Sequence, residues 1–173
     1  ENVNADILVT ACLLHDIARA EQFADAKVDH AAAGAVKARA WLLENDFAAE
    51  FAETVSECVH THRYRSDNPP RSLEAKILFD ADKVDVCGAT GIARTLFYKG
   101  HTSEPLYAVD ANGKVSDGTN DKTSTFFREY TYKLENIYDR FYTKRGSELA
   151  RKRREAALLA EVRECYENGG LQL

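Results

Sequence analysis

The sequence predicts an all-α chain, a compact helical bundle with its site between central helices. Apolar residues recur at helical spacing through most of its length, no stretch alternates apolar and polar residues as a half-buried strand would, and the interruptions fall on polar residues, prolines or glycines. Asn4 or Asp6 opens the first helix, whose apolar run Ile7-Leu8-Val9-Thr10-Ala11-Cys12-Leu13-Leu14 ends near His15-Asp16. A polar connection follows through Arg19, Glu21 and Lys27. Asp29 suits the N-cap of the next helix, with His30 in its first turn and Val36, Ala40, Trp41 and Leu43 further along. Beyond the break at Glu44-Asn45-Asp46, the residues Phe47, Phe51, Val55, Cys58 and Val59 form a helical seam that continues onto His62.

Ser66-Asp67-Asn68-Pro69-Pro70 reads as a loop, because each proline lacks an amide donor and bars the α-region to the residue before it. One long helix is expected from Ser72, with Leu73, Ile77, Val84, Gly88, Gly91 and Ile92 on its buried side and the small residues Gly88, Ala89 and Gly91 marking close packing. Residues 110–124 are polar and contain glycine, which suits a mobile excursion. Two further helices are expected, over 126–142 and 147–168, with Gly146 as the break between them. No repeat or linker divides the chain, so residues 1–173 are expected to form a single domain, large enough to bury a core.

A net charge of -5 and a pI near 5.6 argue against a surface built for duplex nucleic acid or anionic lipid. No run approaches the length of a membrane span and no charged-then-apolar leader opens the chain, which points to a soluble protein. The four cysteines are scattered without a Cys-x-x-Cys pair and are expected to be reduced thiols of a cytoplasmic protein, with Cys12, Cys58 and Cys87 filling the core. No methionine occurs and the chain opens inside a helical pattern, so Glu1 is not expected to be the natural N-terminus.

His15-Asp16 is the most informative pair. Adjacent helical residues stand about 100° apart, so an imidazole and a carboxylate at a helix edge can reach one divalent ion. Asp80-Ala81-Asp82-Lys83 offers a remote carboxylate to complete the set. His62 prolongs an apolar helix face and points inward, whereas His60 faces the opposite way and should be solvated. His30 stands beside small residues, where its ring could reach a shared site. A lone histidine on an apolar face is more often a core residue than a ligand, and His-Asp is a common dipeptide.

The order of these features carries more. His15-Asp16, His30, His62-Arg63-Tyr64-Arg65, then Phe79-Asp80-Ala81-Asp82-Lys83-Val84-Asp85, then Gly88-Ala89-Thr90-Gly91, and finally Thr143-Lys144-Arg145-Gly146-Ser147-Glu148 resembles the HD-domain phosphohydrolases. It is similar in particular to a small bacterial branch that includes nucleotide pyrophosphohydrolases. The resemblance implies an all-helical fold and a metal held by a first histidine, by His15 and Asp16, and by Asp82. Periodicity does not choose Asp82 over Asp80, which could instead cap a ring or hold a water beyond the ligands. Nothing here matches the family's first histidine, which is expected on a helix N-terminal to Glu1. In dinuclear relatives the positions of His30 and His62 bind a second metal, and in mononuclear ones they face substrate. One ion is expected, with both rings lining the pocket.

The resemblance further implies hydrolysis of a nucleotide or another small phosphate ester or anhydride by a metal-activated water, with nucleoside triphosphate to monophosphate and pyrophosphate as the specific version. Asp16, Asp82 and His62 are the expected catalytic residues. Lys83, His30, His62, Arg19, Arg63 and Arg65 are the expected substrate contacts, since guanidinium forks match phosphate oxygens. Manganese is the favoured ion, with magnesium, iron, nickel, zinc and cobalt as alternatives. Some nucleotidase relatives carry a Glu shortly after the His-Asp pair, where Arg19 and Ala20 stand here, so Glu21 or His62 is left as general acid. A homodimer is open. The rival readings are a dinuclear phosphodiesterase and an inactive binding module on the same scaffold.

Overall fold

Asn4 starts helix α1 (Ala5–Leu14) by accepting, on its side-chain oxygen, hydrogen bonds from the amides of Asp6 at 3.1 Å and Ile7 at 3.2 Å. The structure is a computed structural model that describes residues 2–64 and 67–154. Among these the architecture is all-α, and the β-type pairing present is an isolated antiparallel bridge between Val109 and Val115. No described helix is long and apolar enough to cross a membrane. The chain divides after Asp82 into two units, Glu1–Asp82 and Lys83–Leu173.

The first unit holds α1, α2 (Arg19–Ala24), α3 (His30–Glu44), α4 (Ala49–Thr61) and most of α5 (Leu73–Val84). Asp29 caps α3 by accepting from the amides of Ala31 at 3.0 Å and Ala32 at 3.3 Å. The chain leaves α3 through Asp46, whose positive φ of 62° reverses its direction. Helices α3 and α4 pack through Ala35, Ala38 and Leu42 on one and Ala52, Val55, Cys58 and Val59 on the other, all buried. Their three- and four-residue spacing makes each set one face of a helix. Small residues on α3 let α4 approach closely. Ser56 donates to the carbonyl of Ala35 at 2.9 Å, and Ala11, Ala75 and Leu78 complete the core.

The second unit contains α6 (Gly88–His101), α7 (Phe126–Glu129) and α8 (Lys144–Lys152), with a core of Ile92, Phe126, Phe127 and Leu134. Lys99 is buried at 4% exposure and donates to Glu104 at 2.5 Å and to Ser124 at 2.8 Å, tying the end of α6 to the segment before α7.

Several expected boundaries shift. Arg19 and Glu21 lie in α2 rather than in a connection. The long helix expected from Ser72 is two helices, because Gly88 takes a positive φ of 66° at the start of α6 and no helix runs through that conformation. A Cβ there would lie 1.4 Å from the carbonyl oxygen of Arg153, so the site tolerates only glycine. The helix expected over 126–142 ends at Glu129, widens into a π-type turn over Tyr130–Leu134 and finishes as a 3-10 turn over Ile137–Asp139. Gly146 does not break the chain. It sits in the first turn of α8, where its amide donates to the N-cap Thr143 at 3.0 Å. Residues 110–118 fold as turns, with Asp110 accepting from the amides of Asn112 and Lys114. Cys58 and Cys87 are buried free thiols as expected, but Cys12 is exposed, since α1 turns that face away from its core contacts. Cys165 and the helix expected beyond residue 154 lie outside the described residues.

Candidate metal centre

The end of α1 sets His15 and Asp16 at the entry to the tight connection into α2, and three other elements bring rings and charges to them. His15 closes α1 and donates from Nδ1 to the carbonyl of Cys12 at 2.7 Å. His62 closes α4 in the same manner, donating from Nδ1 to the carbonyl of Val59 at 2.5 Å. A histidine one step beyond a helix can reach the carbonyl three residues back, which leaves its Nε2 directed outward. His30 is the first residue of α3 and is buried, and His62 is 1% exposed.

The donor atoms converge. Nε2 of His30 lies 3.2 Å from Nε2 of His62, and Oδ1 of Asp16 lies 3.6 Å from the first and 3.8 Å from the second. Asp16, His30 and His62 each offer one atom within 4.8 Å of the others. The rings of His15 and His62 meet edge to face at 5.3 Å, and Nε2 of His15 is 3.7 Å from Oδ2 of Asp16.

Oδ1 of Asp16 is buried and accepts no well-aligned hydrogen bond. Arg19 Nη2 lies 2.9 Å away, close enough for charge attraction, yet the N–H that it aligns goes to Oδ2 at 3.3 Å. A buried carboxylate oxygen left in this state costs free energy unless something else binds it. Imidazole nitrogens and a carboxylate oxygen form a donor set suited to a divalent transition ion. The residues present therefore fit a metal.

Burial, followed by the positive charge of Arg19, lowers the pKa of His30 to about 4, so its ring is neutral at pH 7. Asp29 stands next to His30 in sequence. Although its partial burial acts to raise its pKa, hydrogen bonds from Arg63 and from the amides of Ala32 and Ala31, with the Arg63 charge, hold it at about 2.

Of the residues expected from sequence, His15, Asp16, Arg19, His30 and His62 come together. Arg63 follows His62 and is tied by Nη1 to Asp29 Oδ2 at 2.8 Å, beside a polar cleft that His60 and Asn68 also line. Asp82 is half-buried on α5. Asp80 is buried at 3% exposure and Lys83 at 6%. Arg65 lies outside the described residues. His60 is exposed, as its helical position requires. Sequence reasoning took Asp29 only as a helix cap and missed its hold on Arg63. The signal available was its place directly before His30.

The family model described as HD domain matches residues 1–87. No curated protein matches the chain. Among solved structures, a predicted HD-superfamily hydrolase from an uncultured Thermotogales bacterium shares 27% identity at a TM-score of 0.53, over 92% of this chain and 65% of that one. The chain thus spans about two thirds of that relative's length. An HD-superfamily hydrolase from Bacillus thuringiensis shares 25% identity at a TM-score of 0.59, covering 98% of this chain and 76% of its own. Bacillus subtilis YpgQ, solved in complex with ADP, shares 20% identity and the fold at a TM-score of 0.56, over 94% of this chain and 87% of that one.

Proposed function

Because the chain belongs to the HD domain family, we propose that it is a metal-dependent phosphohydrolase acting on a small phosphate ester or anhydride, most specifically a nucleotide. The observation that carries this reading is the buried, under-bonded Oδ1 of Asp16 facing imidazole nitrogens from two other helices. His15, Asp16 and His62 would hold the ion, joined by Asp82, whose place rests on its position in the motif. A bound divalent ion supplies a Lewis acid for phosphate oxygens and lowers the pKa of water.

The chain's own residues do the rest. The carbonyls of Cys12 and Val59 each accept from Nδ1 of a ring, which directs the Nε2 of His15 and of His62 away from its own helix. Arg19, bound to Gln22 and Asp16 at the rim, keeps further N–H groups for a phosphate oxygen. Arg63 likewise keeps donors beyond the one Asp29 takes, and Lys83 and Arg65 are the remaining phosphate contacts of the proposal. The nucleotide version draws support from the ADP bound to YpgQ, a protein of the same fold. Manganese suits a nitrogen and oxygen shell, and the free thiols Cys58 and Cys87 suit the cytoplasm.

The test is metal analysis joined to a hydrolysis screen of nucleotides, sugar phosphates and cyclic dinucleotides. One ion per chain and turnover of a nucleoside triphosphate support the proposal. Turnover confined to cyclic dinucleotides with two ions per chain would favour the dinuclear phosphodiesterase, a reading that the closeness of His30 to the other donors keeps in view. Asp82→Ala should abolish both metal retention and activity. Turnover retained in that variant would move the ligand role to Asp80.

A further inference from the structure

The last described helix concentrates charge of one sign. The chain as a whole carries a net charge of -5, yet residues 140–154 hold seven lysines or arginines against one acidic residue. On α8 the basic residues Lys144, Arg145, Arg151 and Lys152 are all exposed, while Gly146 and Ala150 are buried. With each residue turning the helix by about 100°, the four cations fall within an arc of about 120°, opposite the two small buried residues. Glu148, the one carboxylate of the helix, lies in the same arc, 3.6 Å from Arg145. Helix stability does not account for this pattern. Arg151 and Lys152 suit the last turn, where the helix dipole is negative, but Lys144 and Arg145 occupy the first turn, where it disfavours cations. Aromatic rings accompany the charges. Arg154 lies over the ring of Tyr138 at 5.1 Å, and Tyr142, two residues ahead of α8, is 42% exposed. Arg153 is engaged otherwise, donating to the carbonyl of Val84 at 3.0 Å beside Asp85 at 3.3 Å.

We propose that the exposed face of α8 binds the phosphate backbone of a single-stranded nucleic acid, with Tyr142 and the Arg154–Tyr138 pair as platforms for its bases. The four cations run along about 12 Å of the helix axis, a row that successive phosphates of a strand can follow. Bases offer a flat face whatever their sequence, which suits exposed tyrosine and stacked arginine. A duplex, with one charge per about 1.7 Å, meets more repulsion from a chain of net charge -5 than a single strand does. A membrane surface fits less well, because a helix lying in it needs apolar side chains beside its cations, and the side of α8 away from its cations is buried in the protein. Neither the metal donors nor the hydrolysis of a phosphate bond enters this assignment.

The test is fluorescence anisotropy of a labelled oligothymidylate about a dozen nucleotides long, titrated with the full chain. Binding through four phosphate contacts should weaken about 50-fold between about 50 and about 200 mM salt. Lys144→Gln, Arg145→Gln, Arg151→Gln and Lys152→Gln combined should weaken it by more than about ten-fold at the lower salt, with an unchanged circular dichroism spectrum. Tyr142→Ala should cost about five-fold. Glu148→Gln removes a like charge from the face and should tighten binding about three-fold, a gain that misfolding does not produce. Asp16→Asn, which acts on the metal centre, should bind the strand as the wild type does. No binding at the lower salt, wild-type affinity in the combined variant or in Tyr142→Ala, no gain in Glu148→Gln, or a loss in Asp16→Asn equal to that of the combined variant would each overturn the inference. So would equal competition by inorganic polyphosphate, or capture of the chain by phosphatidylserine vesicles in place of the oligonucleotide.

Discussion

At the scale of single residues, Asp16 bears opposing demands. It lies at the exit of α1, within charge contact of Arg19, with one oxygen buried beside the neutral ring of His30 and the ring of His62. Such an oxygen lowers the stability of the metal-free chain and raises its affinity for a cation. Asp16→Asn should therefore weaken metal binding by more than about 100-fold, beyond the 10–100-fold typical of groups that merely orient a ligand. The same variant should leave the metal-free protein as stable as the wild type, or up to about 1 kcal/mol more so, because the buried charge is gone. Calorimetric metal titration and thermal melts with and without chelator separate these two effects.

Elements turn on their ends and on where backbones touch. Asp29 both caps α3 and holds Arg63, so it links the residue before His30 to the residue after His62. Asp29→Ala removes the cap, worth about 1 kcal/mol, together with a partly exposed ion pair of smaller value. A fall in Tm of roughly 4–8 °C is expected for a unit of this size, read by circular dichroism. Two glycines should behave in opposite ways. A Cβ on Gly34 would meet Val59 Cγ1 at 3.4 Å and the His15 carbonyl at 3.6 Å, ordinary contacts inside a helix. Gly34→Ala should then stabilise by about 0.5–1 kcal/mol through the loss of backbone freedom in the unfolded chain. Gly88→Ala places its Cβ on backbone atoms of Arg153 at a positive φ, and soluble expression of that variant should collapse.

For the whole molecule, metal binding bears on the first unit, and pH bears on both. The converging donors belong to the first unit, and binding there stabilises by about 2.7 kcal/mol at an ion concentration 100 times the Kd. Chelator should lower the Tm of wild-type protein and leave that of Asp16→Asn unmoved. In the second unit, burial acts to raise the pKa of Glu104, but hydrogen bonds from Lys99, Ser124 and Thr102 and the Lys99 charge lower it overall from 4.5. A carboxylate with a depressed folded pKa stabilises above its unfolded value, and that contribution is lost as pH falls through the folded one. Acid melts below about pH 4.5 should consequently be flatter in Glu104→Gln than in the wild type.

Sequence by itself determined the all-α class, the N-cap Asp29, the α3–α4 seam and the inward turn of His62, and narrowed the first cap to Asn4 or Asp6, because each follows from helical period and from side chains bonding their own neighbours. It also singled out His15 and Asp16 through their order among later motifs. The break at Gly88, the π-type turn after α7 and the outward face of Cys12 depend on contacts from distant segments, which no local pattern encodes. Likewise only the tertiary structure could bring Oδ1 of Asp16 within 3.6 Å of His30 and 3.8 Å of His62. These donors come from segments far apart in the sequence, and helix packing alone closes the distance between them.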